Sequence, residues 1–204
     1  MFSPTSNHDI TKRYRGRPPH WESHNATYFV TFRLADSLPA DVLDTYRFER
    51  QNIIITAQQM NRPLSPAETL RLEQLFDDRI QDHLDRGYGE CHLAKPEIAE
   101  LIANSLRHFH PMRYDLAAWC VMPNHVHVLF RPIPPFDLAS ILHSWKSFTA
   151  KQANILLQCT GTFWLDEYYD HLVRDTQDLH RICHYIALNP IKAGLKNWPW
   201  LSTP

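Results

Sequence analysis

The chain opens without periodicity. Residues 1–26 set Pro4, Pro18 and Pro19 among mostly polar neighbours, which predicts an irregular arm. Thr27 to Leu34 (TYFVTFRL) is β-branched and aromatic, the pattern of a buried strand. Pro39 suits the first turn of a helix running to about Met60, with Ser37 upstream as a possible cap. Ser65-Pro66-Ala67-Glu68 opens a second helix with Leu70, Leu72, Leu75, Phe76 and Ile80 as its apolar positions, ending near Gly87-Tyr88-Gly89. A third helix follows Lys95-Pro96, and Ile98, Ala99, Leu101, Ile102 and Leu106 mark its buried side.

At Arg113 the period changes to two. Tyr114 to Val121 and Asn124 to Arg131 read as strands joined by the tight Met122-Pro123-Asn124 connection, an antiparallel hairpin. Leu138 to Leu157 is a long helix. The aromatic-rich stretch Gly161 to Val173 is either a last strand or an ordered loop. Asp175 or Thr176 caps a final helix in which Leu179, Ile182, Cys183 and Ile186 follow helical spacing. Strands and helices in this order predict an α+β fold with an antiparallel sheet.

Composition excludes several classes. With 204 residues, 44% of them hydrophobic, the chain can bury a full core. No apolar run is long enough for a bilayer span, and the polar N-terminus lacks a signal-peptide core, so the expectation is a cytoplasmic protein without a membrane partner. Cys91, Cys120, Cys159 and Cys183 form no CxxC pair and read as reduced thiols. The net charge of −1 is uneven. Residues 38–100 hold twelve acids against seven Lys and Arg, whereas Lys12, Arg13, Arg15 and Arg17 interleave with Tyr14 and stand near Trp21. Cations among aromatics suit a single-stranded nucleic-acid backbone.

The candidate chemistry begins with histidine. Thirteen His in 204 residues make roughly one His-x-His pair by chance, and the chain has two. His108 and His110 end a helical pattern before Pro111, where their side chains diverge. His125 and His127 lie in a strand, where residues two apart share a face and can grip one ion. Two imidazoles need a third protein ligand, and an oxygen donor there would favour Mg²⁺ or Mn²⁺. Tyr185 and Asn189, one turn apart on the last helix, flank its apolar stripe and can look into a cleft. The alternative is a boundary tyrosine and a helix terminator before Pro190.

Five segments together carry a resemblance: HWESHNATYFVTFRLADSLP, WCVMPNHVHVLF, HSWKSFTAKQAN, YYDHLVRD, and YIALNPIKAGL followed by NWPWLS. They run in order from about His20 to Ser202. The chain resembles the REP-associated tyrosine transposases, a branch of the single-tyrosine HUH (His-hydrophobic-His) transposases. The resemblance implies a ferredoxin-like sheet of the HUH endonuclease type, formed by residues 27–204, with the acidic helical stretch 40–95 as an elaboration. It implies His125 and His127 as metal ligands, Tyr185 as nucleophile and Asn189 as third ligand, although relatives outside this branch use Gln there. Lys146, in the HSWKSFTAKQAN segment, joins Lys12, Arg13, Arg15, Arg17 and Trp21 as an expected DNA contact.

The expected activity is metal-dependent cleavage and rejoining of single-stranded, hairpin-flanking DNA through a covalent 5′-phosphotyrosine. No GxxxxGK[ST] loop is present, so neither a nucleotide cofactor nor a small-molecule substrate is expected. Monomer and homodimer are both compatible with the sequence. Two other readings stay open: a replication-initiator or relaxase-like nickase, and a non-catalytic protein that recognises hairpin DNA.

Overall fold

The structure, a computed structural model, describes residues 10–13, 20–23, 26–76 and 80–204. Two short strands, β1 (Ile10–Arg13) and β2 (His20–Ser23), pair antiparallel in a ribbon of their own. This corrects the expectation of an irregular arm. Ile10, Thr11 and Trp21 favour extended backbone.

The following elements are β3 (Tyr28–Leu34), α1 (Ala40–Gln59), α2 (Pro66–Phe76), α3 (Asp82–Asp85), α4 (Pro96–His108), β4 (Tyr114–Val121), β5 (His125–Pro132), α5 (Leu138–Leu156), β6 (Trp164–Leu172), α6 (Thr176–Lys192) and β7 (Leu201–Ser202). The main sheet has the order β6-β3-β5-β4-β7 and is antiparallel throughout. With α1–α3 set aside, β3-α4-β4-β5-α5-β6 is a βαββαβ chain whose strands lie fourth, first, third, second. That is the expected ferredoxin-like arrangement, an α+β fold.

Strand alternation divides the sheet into two faces. Tyr28, Val30, Phe32 and Leu34 on β3, with Val126, Val128 and Phe130 on β5, pack against α4 and α5 in the larger core. The opposite face presents Phe29, Ala118, Cys120 and Leu129 to Ile182 and Ile186 of α6. β3 is therefore buried along its whole length, which explains its near-continuous apolar run.

The stretch 40–95 folds as the expected helical insertion between β3 and α4. Its second helix opens at Ser65-Pro66-Ala67-Glu68, as the sequence predicted, and the structure closes a capping box there: Glu68 N–H donates to Ser65 Oγ at 3.3 Å and Ser65 N–H donates to Glu68 Oε2 at 2.8 Å. Leu38, Tyr46, Leu75, Ile80 and Leu84 form a small core that reaches Tyr169 of β6. Tyr169 pairs with Thr31 across the sheet, so the insertion docks on the same face as α6.

α6 begins at Asp175, whose side chain accepts from Asp178 N–H. It does not stop before Pro190, the alternative that the sequence left open. Pro190 lies inside the helix and removes one N–H donor, while the turn continues to Lys192. Gly194 then takes φ +72°, and the N–H groups of Gly194 and Leu195 donate to the carbonyls of Ile191 and Pro190 at 3.0 and 2.8 Å. This is a Schellman end, and it needs the left-handed conformation that glycine adopts without strain.

Candidate active site

His125 and His127 lie on β5, one of the central strands, and both are fully buried. Their Nε2 atoms approach to 3.0 Å, so the two rings converge on one point on the α6 face. Each ring is oriented through its other nitrogen. His127 Nδ1 lies 2.7 Å from Thr31 Oγ1 on the paired strand β3, and His125 Nδ1 lies 2.7 Å from Asn124 Oδ1. Asn124 is itself held, since its Nδ2 donates to the Tyr88 carbonyl at 2.9 Å. That carbonyl comes from a turn pressed against Asp36: a Cβ on Gly89 would meet the Asp36 carbonyl oxygen at 2.6 Å. The helical insertion thus ends in the contact that sets the Asn124 amide.

This network fixes the protons. Asn124 Oδ1 can only accept, so His125 carries its proton on Nδ1 and offers a bare Nε2. With both rings neutral, His127 Nε2 donates to it, and Thr31 donates its hydroxyl proton to His127 Nδ1. Burial keeps both rings neutral. It pushes His127 down to about 3, and the adjacent Asn189 side chain opposes that shift. Burial also drives His125 well below its ordinary value, with His127 and Arg33 adding to the effect. Neutral imidazoles need shed no proton to ligate at physiological pH, and His127 can do so once its proton moves from Nε2 to Nδ1, where Thr31 Oγ1 can accept it.

Tyr185 of α6 stands over this pair. Its ring centroid is 5.3 Å from that of His127 and 5.8 Å from that of Phe29, which stacks on His127 at 5.5 Å. Lys192 Nζ lies 5.5 Å from the Tyr185 ring centroid. Asn189, one turn beyond Tyr185, is fully buried, not at the edge of the helix's buried face as its spacing predicted. The expected stripe was drawn from apolar residues alone, and an inward-facing amide does not register in it. Although Asn189 is near enough to favour the charged form of His127, neither its Oδ1 nor its Nδ2 has a hydrogen-bond partner of ordinary geometry.

A buried amide without partners, beside two convergent imidazole Nε2 atoms, fits a divalent cation with two nitrogen ligands and one oxygen ligand. Among the described residues no group of three or more His, Cys, Asp or Glu side chains is arranged for a metal. His125, His127 and Asn189 are hence the donor set at hand.

The other expected site residues are scattered. Lys146 lies on α5, on the opposite face of the sheet. Its ammonium donates to the carbonyls of Leu165 and Asp166 at 2.7 and 2.8 Å. Lys12, Arg13 and Trp21 fall on β1 and β2, where the backbone pairing alone is described. Arg15 and Arg17 lie outside the described residues. His108 closes α4, and His110 Nδ1 accepts from Leu116 N–H at 3.2 Å, away from the His125 pair. All four cysteines are free, and no described helix is long and apolar enough to cross a membrane.

Three residues of the site had escaped notice: Thr31, Asn124 and Arg33. Arg33 pairs across the strands with His125, is 2% exposed, and has Nε and Nη2 without partners. Burial lowers its pKa to about 10, while Tyr46 and Glu167 support its charge, so it is a cation at neutral pH. The available signal was a lone charge in an apolar strand.

Residues 92–189, which include every residue of the histidine, tyrosine and asparagine group, match the family described as Transposase IS200 like. A Haemophilus influenzae protein assigned to the REP-associated tyrosine transposases is 28% identical over 104 residues, covering 44% of this chain and 58% of that protein. The REP-associated tyrosine transposase of Escherichia coli is 26% identical over 96 residues, covering 43% and 53%. The chain thus spans between half and three fifths of these relatives. A solved REP-associated tyrosine transposase bound to a REP hairpin superimposes with a TM-score of 0.49 and 17% identity, over 94% of this chain and 82% of that one. The chain is thus similar in sequence to REP-associated tyrosine transposases, and its match to the IS200-like transposase family takes in just under half of it, residues 92–189.

Proposed function

We propose that the chain is a metal-dependent tyrosine transposase that cuts and rejoins single-stranded DNA beside a hairpin. The observation that carries this reading is the position of Tyr185, 5.3 Å between ring centroids from His127, on the same helix as the unpartnered Asn189 amide. His125, His127 and Asn189 would hold a divalent cation, Mg²⁺ or Mn²⁺. When bound, it would supply positive charge against the non-bridging oxygens of a phosphodiester.

The protein's own groups account for the remaining chemistry. A phenol titrates near ~10 in water and is a weak nucleophile at neutral pH, so position must compensate. α6 holds the Tyr185 ring against Phe29 and His127, which limits its rotamers. The Lys192 ammonium, 5.5 Å from the ring centroid, would favour negative charge on Tyr185 as the hydroxyl loses its proton. Attack forms the bond from Tyr185 Oη to phosphorus and breaks the bond from phosphorus to the 3′ oxygen. The phenol proton leaves to solvent, and the 3′ oxygen takes one up. A 5′-phosphotyrosine and a 3′-hydroxyl result, with the number of phosphoester bonds unchanged, so a second 3′-hydroxyl can reverse the step and join new ends.

The test is an end-labelled oligonucleotide carrying a hairpin and a single-stranded flank. Nicking is expected with Mg²⁺ or Mn²⁺, not in EDTA and not by Tyr185→Phe. Nicking that ignores EDTA, or a folded Tyr185→Phe protein that cuts as the parent does, would overturn the reading.

A further inference from the structure

The cleavage chemistry leaves one buried cation unused. Arg33 stands on β3 directly across from His125, on the face that carries both imidazoles and Tyr185. It is the one charged residue of the run Thr27 to Leu34. Its side chain is as closed to solvent as the histidines, so any movement that admits a strand to them admits it to their cross-strand neighbour. The two atoms without partners, Nε and Nη2, share one edge of the guanidinium and send out two parallel N–H bonds. A buried arginine kept for stability alone would spend that edge on a carboxylate or on carbonyls. Glu167, its acidic neighbour, has one oxygen engaged by Arg47 at 3.0 Å and closes no bond to Arg33. Two parallel donors match two oxygens of a phosphate.

We propose that Arg33 is a phosphate-binding residue of this site. Its Nε/Nη2 edge takes the non-bridging oxygens of one backbone phosphate of the DNA strand and fixes that strand's register against Tyr185. The proposal rests on the reading of the site as one that handles a DNA strand.

The experiment uses the full chain with Tyr185→Phe as the non-cleaving background and single-stranded hairpin-flanked DNA. Neutral methylphosphonates replace the phosphates one at a time. In the background protein, one position near the cut should cost roughly tenfold in affinity. Arg33→Met should lose roughly tenfold on unmodified DNA and then ignore the methylphosphonate at that position only. Its slope of log affinity against log salt should be shallower by about 0.7. Arg33→Lys should fall between, because an ammonium cannot present the paired donors.

If the background protein binds no single-stranded DNA, the functional reading itself fails. If it binds, and both Arg33 variants keep its affinity, salt slope and methylphosphonate profile, the Arg33 assignment alone is overturned. Should Arg33→Met not fold, Arg33→Lys decides: a reduced penalty at that one position supports the assignment, and an unchanged profile refutes it.

Discussion

Asn124 decides which nitrogen of His125 faces the candidate ion. Its Nδ2 is committed to the Tyr88 carbonyl, so its Oδ1 must accept from His125 Nδ1, and Nε2 is left bare. Thr31 orients His127 through its Nδ1 from the neighbouring strand, and its hydroxyl can donate there or accept when the ring proton moves to Nδ1. Partners of this kind typically govern ten- to a hundredfold in metal affinity. Asn124→Ala and Thr31→Val should each weaken Mn²⁺ binding by about that factor in a calorimetric titration, with the sheet intact by circular dichroism. His108→Ala and His110→Ala should leave it unchanged. Equal Mn²⁺ affinity in all four variants would remove the ion from this site. The histidine pair was legible because strand alternation puts residues two apart on one face. Thr31 was not, because its partnership depends on the register of β3 against β5, which is ninety-six residues away in sequence. Asn124 read as a turn residue, and its second role appears once the 85–95 segment folds back over the hairpin.

At the level of elements, the reading held wherever an element had a period of its own. β4 and α4 begin where the pattern changed, and β6 resolved the choice between strand and loop. β7 has two residues and therefore no period to detect. The end of α6 was obscured by Pro190, since the local rule against proline in helices lost to the packing of Ile182 and Ile186 and to the Gly194 cap. The start of α6 is tied to β6 through Asp178, which accepts from His171 Nε2 and Arg181 Nη2, both at 2.7 Å. Burial raises the Asp178 carboxyl, but the hydrogen bonds from His171 and Arg181 outweigh it and leave the pKa below the ordinary value. A depressed carboxylate adds stability above its unfolded pKa of about 3.9 and loses it as pH falls through the lower folded value. Asp178→Asn should therefore cost about 1–2 kcal/mol at pH 7, roughly 2–8 °C in Tm, and flatten the acid limb of the stability curve below about pH 4. An unchanged Tm and acid limb would mean that this contact does not anchor the helix that carries Tyr185.

Taken whole, the molecule is a sheet with one supporting face and one working face. α4 and α5 fill the first with aliphatic and aromatic packing. α6 and the insertion cover the second, and the histidines, Asn189 and Arg33 are closed in beneath them. The insertion was visible in sequence as an acidic helical block. Its docking beside the site was not, because Tyr169 and the Tyr88 carbonyl are contributed by tertiary contact. Removing residues 1–17, which carry the basic arm, should weaken single-stranded DNA binding and leave Mn²⁺ affinity unchanged; identical DNA affinity would exclude the arm from the interface. The central claim is that Tyr185 becomes joined to DNA. The full chain is incubated with hairpin-flanked single-stranded DNA and Mn²⁺, denatured and digested, and the peptides are mapped by mass spectrometry. The account predicts a nucleotide adduct on the Tyr185 peptide that disappears with EDTA and in Tyr185→Phe. Strand cleavage with no adduct, or with the adduct on Tyr28, Tyr168 or Tyr169, would contradict it.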